Sequence, residues 1–173
     1  MDKLALAREI RRVAKLTGQF TLRSGAVSDT YFDKYQFESS PRLLRAIAEQ
    51  MALLVPADTQ ILCGLELGGV PVVTMLSQVT GLPAAFIRKE PKAYGTAKFA
   101  EGPPLEGRSL LLVEDVVSSG GQIIDSSMMM REAGCVVKEA LCVIDRRPAD
   151  GTVLHEAGIE LHALLTMAEI EAA

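Results

Sequence analysis

Glu114 and Asp115 stand side by side at the end of an apolar run that begins at Leu110, and Ser118-Ser119-Gly120-Gly121-Gln122 follows almost at once. Two carboxylates at the end of a buried strand are costly unless they meet a ligand hydroxyl, a metal or a cation. The turn after them has the residues of a phosphate cradle. Glycines let the backbone approach an anion, serine hydroxyls add donors, and the N-terminus of a following helix contributes about half a positive charge. The same residues also make ordinary strand-to-helix turns, so on its own the turn leaves phosphate binding and plain connection both open.

A second cluster lies upstream. Residues 88–107 lack apolar periodicity and carry Arg88, Lys89, Lys92 and Lys98 around Gly95. A connection this long is more often a functional lid, or disordered, than a plain link, although a solvated charged loop has the same composition. A basic arm after one strand and a phosphate cradle after the next imply a substrate with two separate anionic ends.

The remaining chain must position these groups. Residues 3–17 read as an amphipathic helix with Leu6, Ile10, Val13, Ala14 and Thr17 on one face, stopped by Gly18. Residues 20–25 and 29–37 read as two extended segments forming a small flap apart from the main sheet. Ser39-Ser40-Pro41 opens a second helix, with Leu44, Ile47, Ala48, Met51 and Leu54 at helical spacing, that closes near Pro56. Strand and helix then alternate: strands at 61–65, 83–87, 136–144 and 161–165, a helix from Gly68-Gly69 to about Thr80, and another at 122–133 with Ile123, Ile124, Ser127 and Met128 inward. The pattern predicts an α/β fold with a mostly parallel, doubly wound sheet and a small N-terminal hood, in one domain spanning 1–173.

Composition excludes several classes. The net charge of −4 argues against a general nucleic-acid binder, and no apolar run reads as a membrane span or signal peptide, which points to the cytoplasm. Cys63, Cys135 and Cys142 lack Cys-x-x-Cys spacing and read as buried thiols; His155 and His162 lie far from every motif, which disfavours zinc or a histidine triad. Neither Gly-x-x-x-x-Gly-Lys-Ser/Thr nor a Gly-x-Gly-x-x-Gly after a strand is present, so nucleotide hydrolysis by a P-loop and dinucleotide chemistry lose their usual supports.

The acid pair with its serine-glycine turn and the upstream basic arm resembles the type I phosphoribosyltransferases. More narrowly, Phe20-Thr-Leu-Arg-Ser-Gly25 with Tyr31-Phe32, Gly64 to Pro71, Arg88-Lys-Glu-Pro-Lys-Ala-Tyr-Gly95 and Asp145-Arg146 resemble the orotate phosphoribosyltransferases. The resemblance implies that Glu114 and Asp115 bind the ribose hydroxyls of phosphoribosyl pyrophosphate and that Ser118, Ser119, Gly120, Gly121 and Gln122 hold its 5′-phosphate. Arg88, Lys89, Lys92 and Tyr94 would embrace the pyrophosphate, which carries Mg²⁺. Arg146 would pair with the carboxylate of orotate, with Arg23, Tyr31 and Phe32 as a flap over the base. It also implies a homodimer with shared active sites. Two departures stand out: many members carry Lys where Arg23 stands, and Tyr-Lys where Leu67-Gly68 stand, so a cation against the pyrophosphate is missing here.

Simpler readings exist for single residues. Asp145-Arg146-Arg147 is also what a surface ion pair looks like, and one of Tyr31 and Phe32 is expected in the core. Alternatives to orotate are a purine or uracil phosphoribosyltransferase, and a non-catalytic regulator that senses the donor.

Overall fold

Two strands make the spine of the computed structural model, which describes residues 1–21, 25–89, 99–148 and 151–173. β3 (Ile61–Leu65) is buried throughout and β6 (Ser109–Val117) nearly so, as expected of central parallel strands covered on both faces. They pair in parallel, Gly64 opposite Val113, within a six-stranded sheet of order β5-β4-β3-β6-β7-β8. The outer members are β4 (Ala84–Ile87), β5 (Ala100–Glu101), β7 (Val136–Asp145) and β8 (Glu160–Thr166); only β5 runs antiparallel to its neighbour. From β3 the chain steps out to β4, then returns to the other side of β3 as β6. This reversal leaves a crevice beyond the carboxyl ends of β3 and β6, where open α/β sheets bind ligands.

Helices cover both faces. α1 (Lys3–Ala14), α3 (Pro41–Met51) and α4 (Gly69–Thr80) bury Leu6, Ile10, Ile47, Val73 and Leu76 against one face, joined by the last helix, α7 (Met167–Ala172), through Ile170. α5 (Gly121–Glu132) and the short α6 (Val153–Glu156) cover the other with Ile123, Met130 and Leu154. All three cysteines are free and lie in this second layer, where burial pushes the Cys63 thiol up to about 12, so it stays protonated and inert.

The flap is a two-stranded antiparallel hairpin, β1 (Lys15–Thr21) with β2 (Val27–Phe32), separate from the main sheet. The first helix therefore ends three residues earlier than its apolar face suggests. Lys15 is already extended at φ −82°, ψ 102° and pairs with Phe32, so Thr17 belongs to a strand. Gly18 is not a helix stop but sits in the register irregularity between Thr17 and Phe20, where a Cβ would crowd the Phe20 ring at 3.2 Å.

Two other expectations shift. The extended segment stops at Phe32, and residues 35–38 wind into one helical turn, α2 (Tyr35–Glu38). Asp33 causes this: its carboxylate accepts from the Tyr35 N–H at 3.1 Å and from Gln36 Nε2 at 2.9 Å, capping the turn. In α5 Met128 points outward at 55% exposure, while Ser126 and Met130 are buried. The helix begins at Gly121, so its inward stripe runs 123, 126–127, 130.

Candidate active site

The acids sit where the strand pattern places them, at the carboxyl end of β6 beside the crevice. Asp115 is buried and Glu114 nearly so. Asp115 Oδ1 accepts from the Val116 N–H at 2.6 Å, and Lys34 Nζ lies 2.5 Å from Oδ2. Glu38, from α2, is buried against the same pair. Burial, and then the neighbouring Asp115, push Glu38 up to about 9 and Glu114 up to about 8. Burial also acts on Asp115, but hydrogen bonding from Glu38 and Lys34 and the charge of Lys34 outweigh it and hold Asp115 below the usual carboxylate range. The cluster therefore ionises as one Lys⁺ and one Asp⁻ near neutrality.

Beyond the acids the backbone turns sharply. Gly120 adopts φ +84°, and a Cβ there would meet Leu154 Cδ2 at 2.9 Å, so α6 braces the turn from behind. Glu114 and residues 118–122 line one concavity of about 290 Å³ at the first turn of α5. The hydroxyl-bearing residues Ser118 and Ser119 are exposed to it, whereas Gln122 has a second duty: its Nε2 donates to the Glu66 carbonyl at 2.8 Å, tying the cradle to the loop after β3. What remains of Gln122 for an anion is its backbone N–H in the first helical turn.

Glu66 also reaches the root of the basic arm, accepting from the Lys89 N–H at 2.6 Å. Arg88 extends β4 and pairs with Glu101 at 3.3 Å. Lys92, Tyr94 and Lys98, like Arg23 of the flap, lie outside the described residues. The missing cation at position 68 has a steric cause: a Cβ on Gly68 would overlap Asp115 Oδ2. Lys34 instead brings a positive charge to that oxygen from the hood side.

Across the cleft, Arg146, Tyr31 and Phe32 share a concavity of about 380 Å³ with Arg11 and Lys15. The surface-ion-pair reading attaches to the next residue: Arg147 clasps Asp145 through two contacts at 3.0 and 2.9 Å. The exposed Arg146 makes no ion pair among the described residues, and its N–H anchors to the Val117 carbonyl at 2.8 Å. Phe32 is the more buried of the two aromatics, 6.5 Å from the core Phe37, while Tyr31 is 45% exposed and stacks 5.5 Å from Phe20. Lys34 and Glu38, which meet Asp115, and Arg11 and Lys15, which line the second concavity, are residues that the motifs do not flag. The Asp33-x-x-Gln36 capping pattern was the available signal for the first two.

An acid pair and a serine-glycine turn at the switch point of a mostly parallel sheet, with a separate N-terminal hood, match the fold and site pattern of a type I phosphoribosyltransferase. No family model matches the chain. An orotate phosphoribosyltransferase from Nocardioides sp. is 50% identical over 168 residues, which is 97% of this chain and 94% of that protein. The solved orotate phosphoribosyltransferase of Mycobacterium tuberculosis in complex with Fe(III) dicitrate superposes with a TM-score of 0.88 at 28% identity, covering 98% of this chain and 99% of that one. The same enzyme in complex with 5-phospho-α-D-ribosyl 1-diphosphate gives a TM-score of 0.83 at 26% identity, covering 99% of both chains. The chain belongs to the orotate phosphoribosyltransferase family.

Proposed function

We propose that this chain transfers the phosphoribosyl group of phosphoribosyl pyrophosphate to orotate, giving orotidine 5′-phosphate and pyrophosphate in pyrimidine biosynthesis. The observation that carries the reading is the acid pair and turn at the end of β6, tied through Glu66 to the root of the basic arm, with an arginine at the end of β7 that makes no ion pair among the described residues. In this reading the ribose hydroxyls donate to Glu114 and Asp115, and the 5′-phosphate receives hydrogen bonds from the cradle's N–H groups and serine hydroxyls.

Orotate nitrogen attacks C1 of the ribose while the C1–O bond to pyrophosphate breaks, and the leaving group takes the electron pair. Positive charge builds on the sugar and negative charge on the pyrophosphate. Arg88 and Lys89, with Lys92 and Tyr94 further along the arm, stabilise the leaving group, and an arm drawn over the donor excludes competing water. Orotate attacks as the anion deprotonated at that nitrogen, its proton having passed to solvent beforehand, so no dedicated general base is required. The planar fork of Arg146 suits the orotate carboxylate, with Arg11 and Lys15 adding positive potential and Arg23, Tyr31 and Phe32 covering the ring.

The acid pair does not fit a resident divalent cation, because Asp115 Oδ2 is already paired with Lys34 and burial keeps Glu114 protonated near neutrality. Mg²⁺, carried mainly by the pyrophosphate, would neutralise the leaving group's charge. The working form in this reading is a cytoplasmic homodimer with shared sites. Among the described residues no helix is long and apolar enough to cross a membrane.

The test is an initial-rate assay with Mg²⁺, the donor and a panel of orotate, uracil, adenine, guanine and hypoxanthine. Nucleotide and pyrophosphate are expected with orotate alone. Preference for a neutral base would transfer the reading to a purine or uracil enzyme; no product from any base would remove both enzyme readings and leave a donor sensor.

A further inference from the structure

Lys34 and Glu38 are four residues apart on the turn that Asp33 caps, and both reach the acid that the donor reading gives to the ribose. The carboxyl groups of Glu38 and Asp115 lie in hydrogen-bonding contact. Yet, taken as two carboxylates, neither Glu38 oxygen has a donor and Asp115 Oδ2 has only the Lys34 ammonium beside it, and all three atoms are buried. Two acceptors cannot satisfy each other; one shared proton satisfies an oxygen on each side. The charges facing Glu38 are Asp115 and Glu114 from β6 and Lys34 from its own segment. α1 and α3, which also pack on α2, contribute the apolar residues of the common core. Nothing there would stabilise a second buried anion.

We propose that Lys34 and Glu38 are positioning residues of the donor site: Glu38, held as the neutral acid, donates its proton to Asp115, and Lys34 balances the one remaining charge. Together they fix the orientation of the Asp115 carboxylate and keep the cluster from repelling a polyanionic donor. With Lys34 positive, Asp115 negative and both glutamates protonated, the cluster is neutral; with every acid ionised it would carry two negative charges. The upward displacement of Glu38 agrees with this arrangement. Lys34 thereby supplies, from the hood, positive charge at a point where Gly68 has no room for a side chain. The proposal rests on Asp115 binding the ribose.

The experiment measures donor KM and kcat from pH 6 to 10 for Glu38→Gln, Glu38→Leu, Lys34→Met, Lys34→Arg and Asp115→Asn, with thermal melts as a check on folding. Glutamine keeps an N–H to donate to Asp115 and leucine does not. Leucine is therefore expected to raise donor KM about tenfold more than glutamine, the worth of one hydrogen bond to a charged group. Lys34→Met is expected to raise it by about as much, with arginine recovering most of the loss. The alkaline rise in donor KM is expected to move in Glu38→Gln, which has no proton to lose there. Equal damage from glutamine and leucine, or a glutamine pH profile superimposable on that of the parent protein, would overturn the proposal. The variants separate this failure from failure of the donor reading. If Asp115→Asn weakens the donor while the Lys34 and Glu38 variants do not, only the positioning role falls; if Asp115→Asn leaves donor KM unchanged, the ribose assignment falls with it. Lys34 is about one-third exposed, so its variants report even if a Glu38 change unsettles the fold.

Discussion

At the carboxyl end of β6 the functional groups stand on backbone that the core holds still. Asp115 is 1% exposed, Gly120 is wedged against Leu154, and the cradle is made of N–H groups at the start of a three-turn helix. The concavity proposed for the base is built the other way. Tyr31, Arg11, Lys15 and Arg146 are side chains projecting from a two-stranded hairpin, a helix end and a strand end onto a concavity open to solvent. The contrast implies that the donor half is intolerant of any added atom, whereas the base half is graded and tunable. A site that must recognise one invariant donor can be written into backbone; a site that selects among planar bases is written in side chains.

The sharpest way to break that contrast is Gly68→Ala. Its methyl group would occupy the position of Asp115 Oδ2, and displacing that carboxylate is expected to cost about 100-fold in kcat/KM, the usual consequence of a misplacement of about 1 Å. Circular dichroism should still report the native fold; full activity would mean that the acid is not held where the geometry places it. Gly120→Ala comes next. It combines a positive φ with the Leu154 contact at 2.9 Å, and is expected to destabilise the protein by about 1–3 kcal/mol while raising donor KM. Denaturant titration with donor kinetics measures both, and an unchanged donor KM would detach the turn from the phosphate.

On the base side effects should be smaller. Tyr31→Ala removes the partner of Phe20 and one wall of the concavity, and is expected to raise orotate KM by about 2- to 10-fold with donor KM unaltered. A larger loss in donor than in orotate kinetics would erase the division between the halves.

The weakest effect is on stability. Glu38 and Glu114 titrate at about 9 and about 8 in the folded chain, above the ordinary 4.5, so the folded state retains protons that the unfolded chain has released. Their contribution to stability is therefore best below about pH 4.5, falls as pH rises through the window to about 9, and then levels off. Glu38→Gln should flatten this slope, gaining more in melting temperature relative to the parent at pH 9 than at pH 6. Equal gains at both pH values would place the proton elsewhere.

The place of the acid pair and its turn in the fold was legible in the sequence because the pattern is local: an apolar strand, two acids and a serine-glycine turn are contiguous, and the parallel-sheet pattern fixes where they must lie. The hood was only partly legible. Its existence followed from the extended segments, but the boundary at Lys15 depends on pairing with Phe32, a contact that helical periodicity through Thr17 cannot reveal. Lys34 and Glu38 escaped because the segment read as continuous strand, where positions four apart share a face but stand about 13 Å apart, whereas one helical turn brings both to Asp115. In α5 the stripe that starts at Ile123 recurs at 126, 127 and 130, which puts Met130 inward and Met128 out.

The central claim is that donor and base are recognised by separable halves, with the Arg146 fork as the determinant for orotate. It is tested most directly by Arg146→Ala, with donor affinity measured by calorimetry in the presence of Mg²⁺ and orotate turnover measured in parallel. Loss of a hydrogen-bonded pairing with a carboxylate is expected to lower kcat/KM for orotate by about 10- to 100-fold while donor affinity stays within about twofold of the parent value. Equal loss of donor affinity, or orotate turnover that survives the substitution intact, would contradict the account.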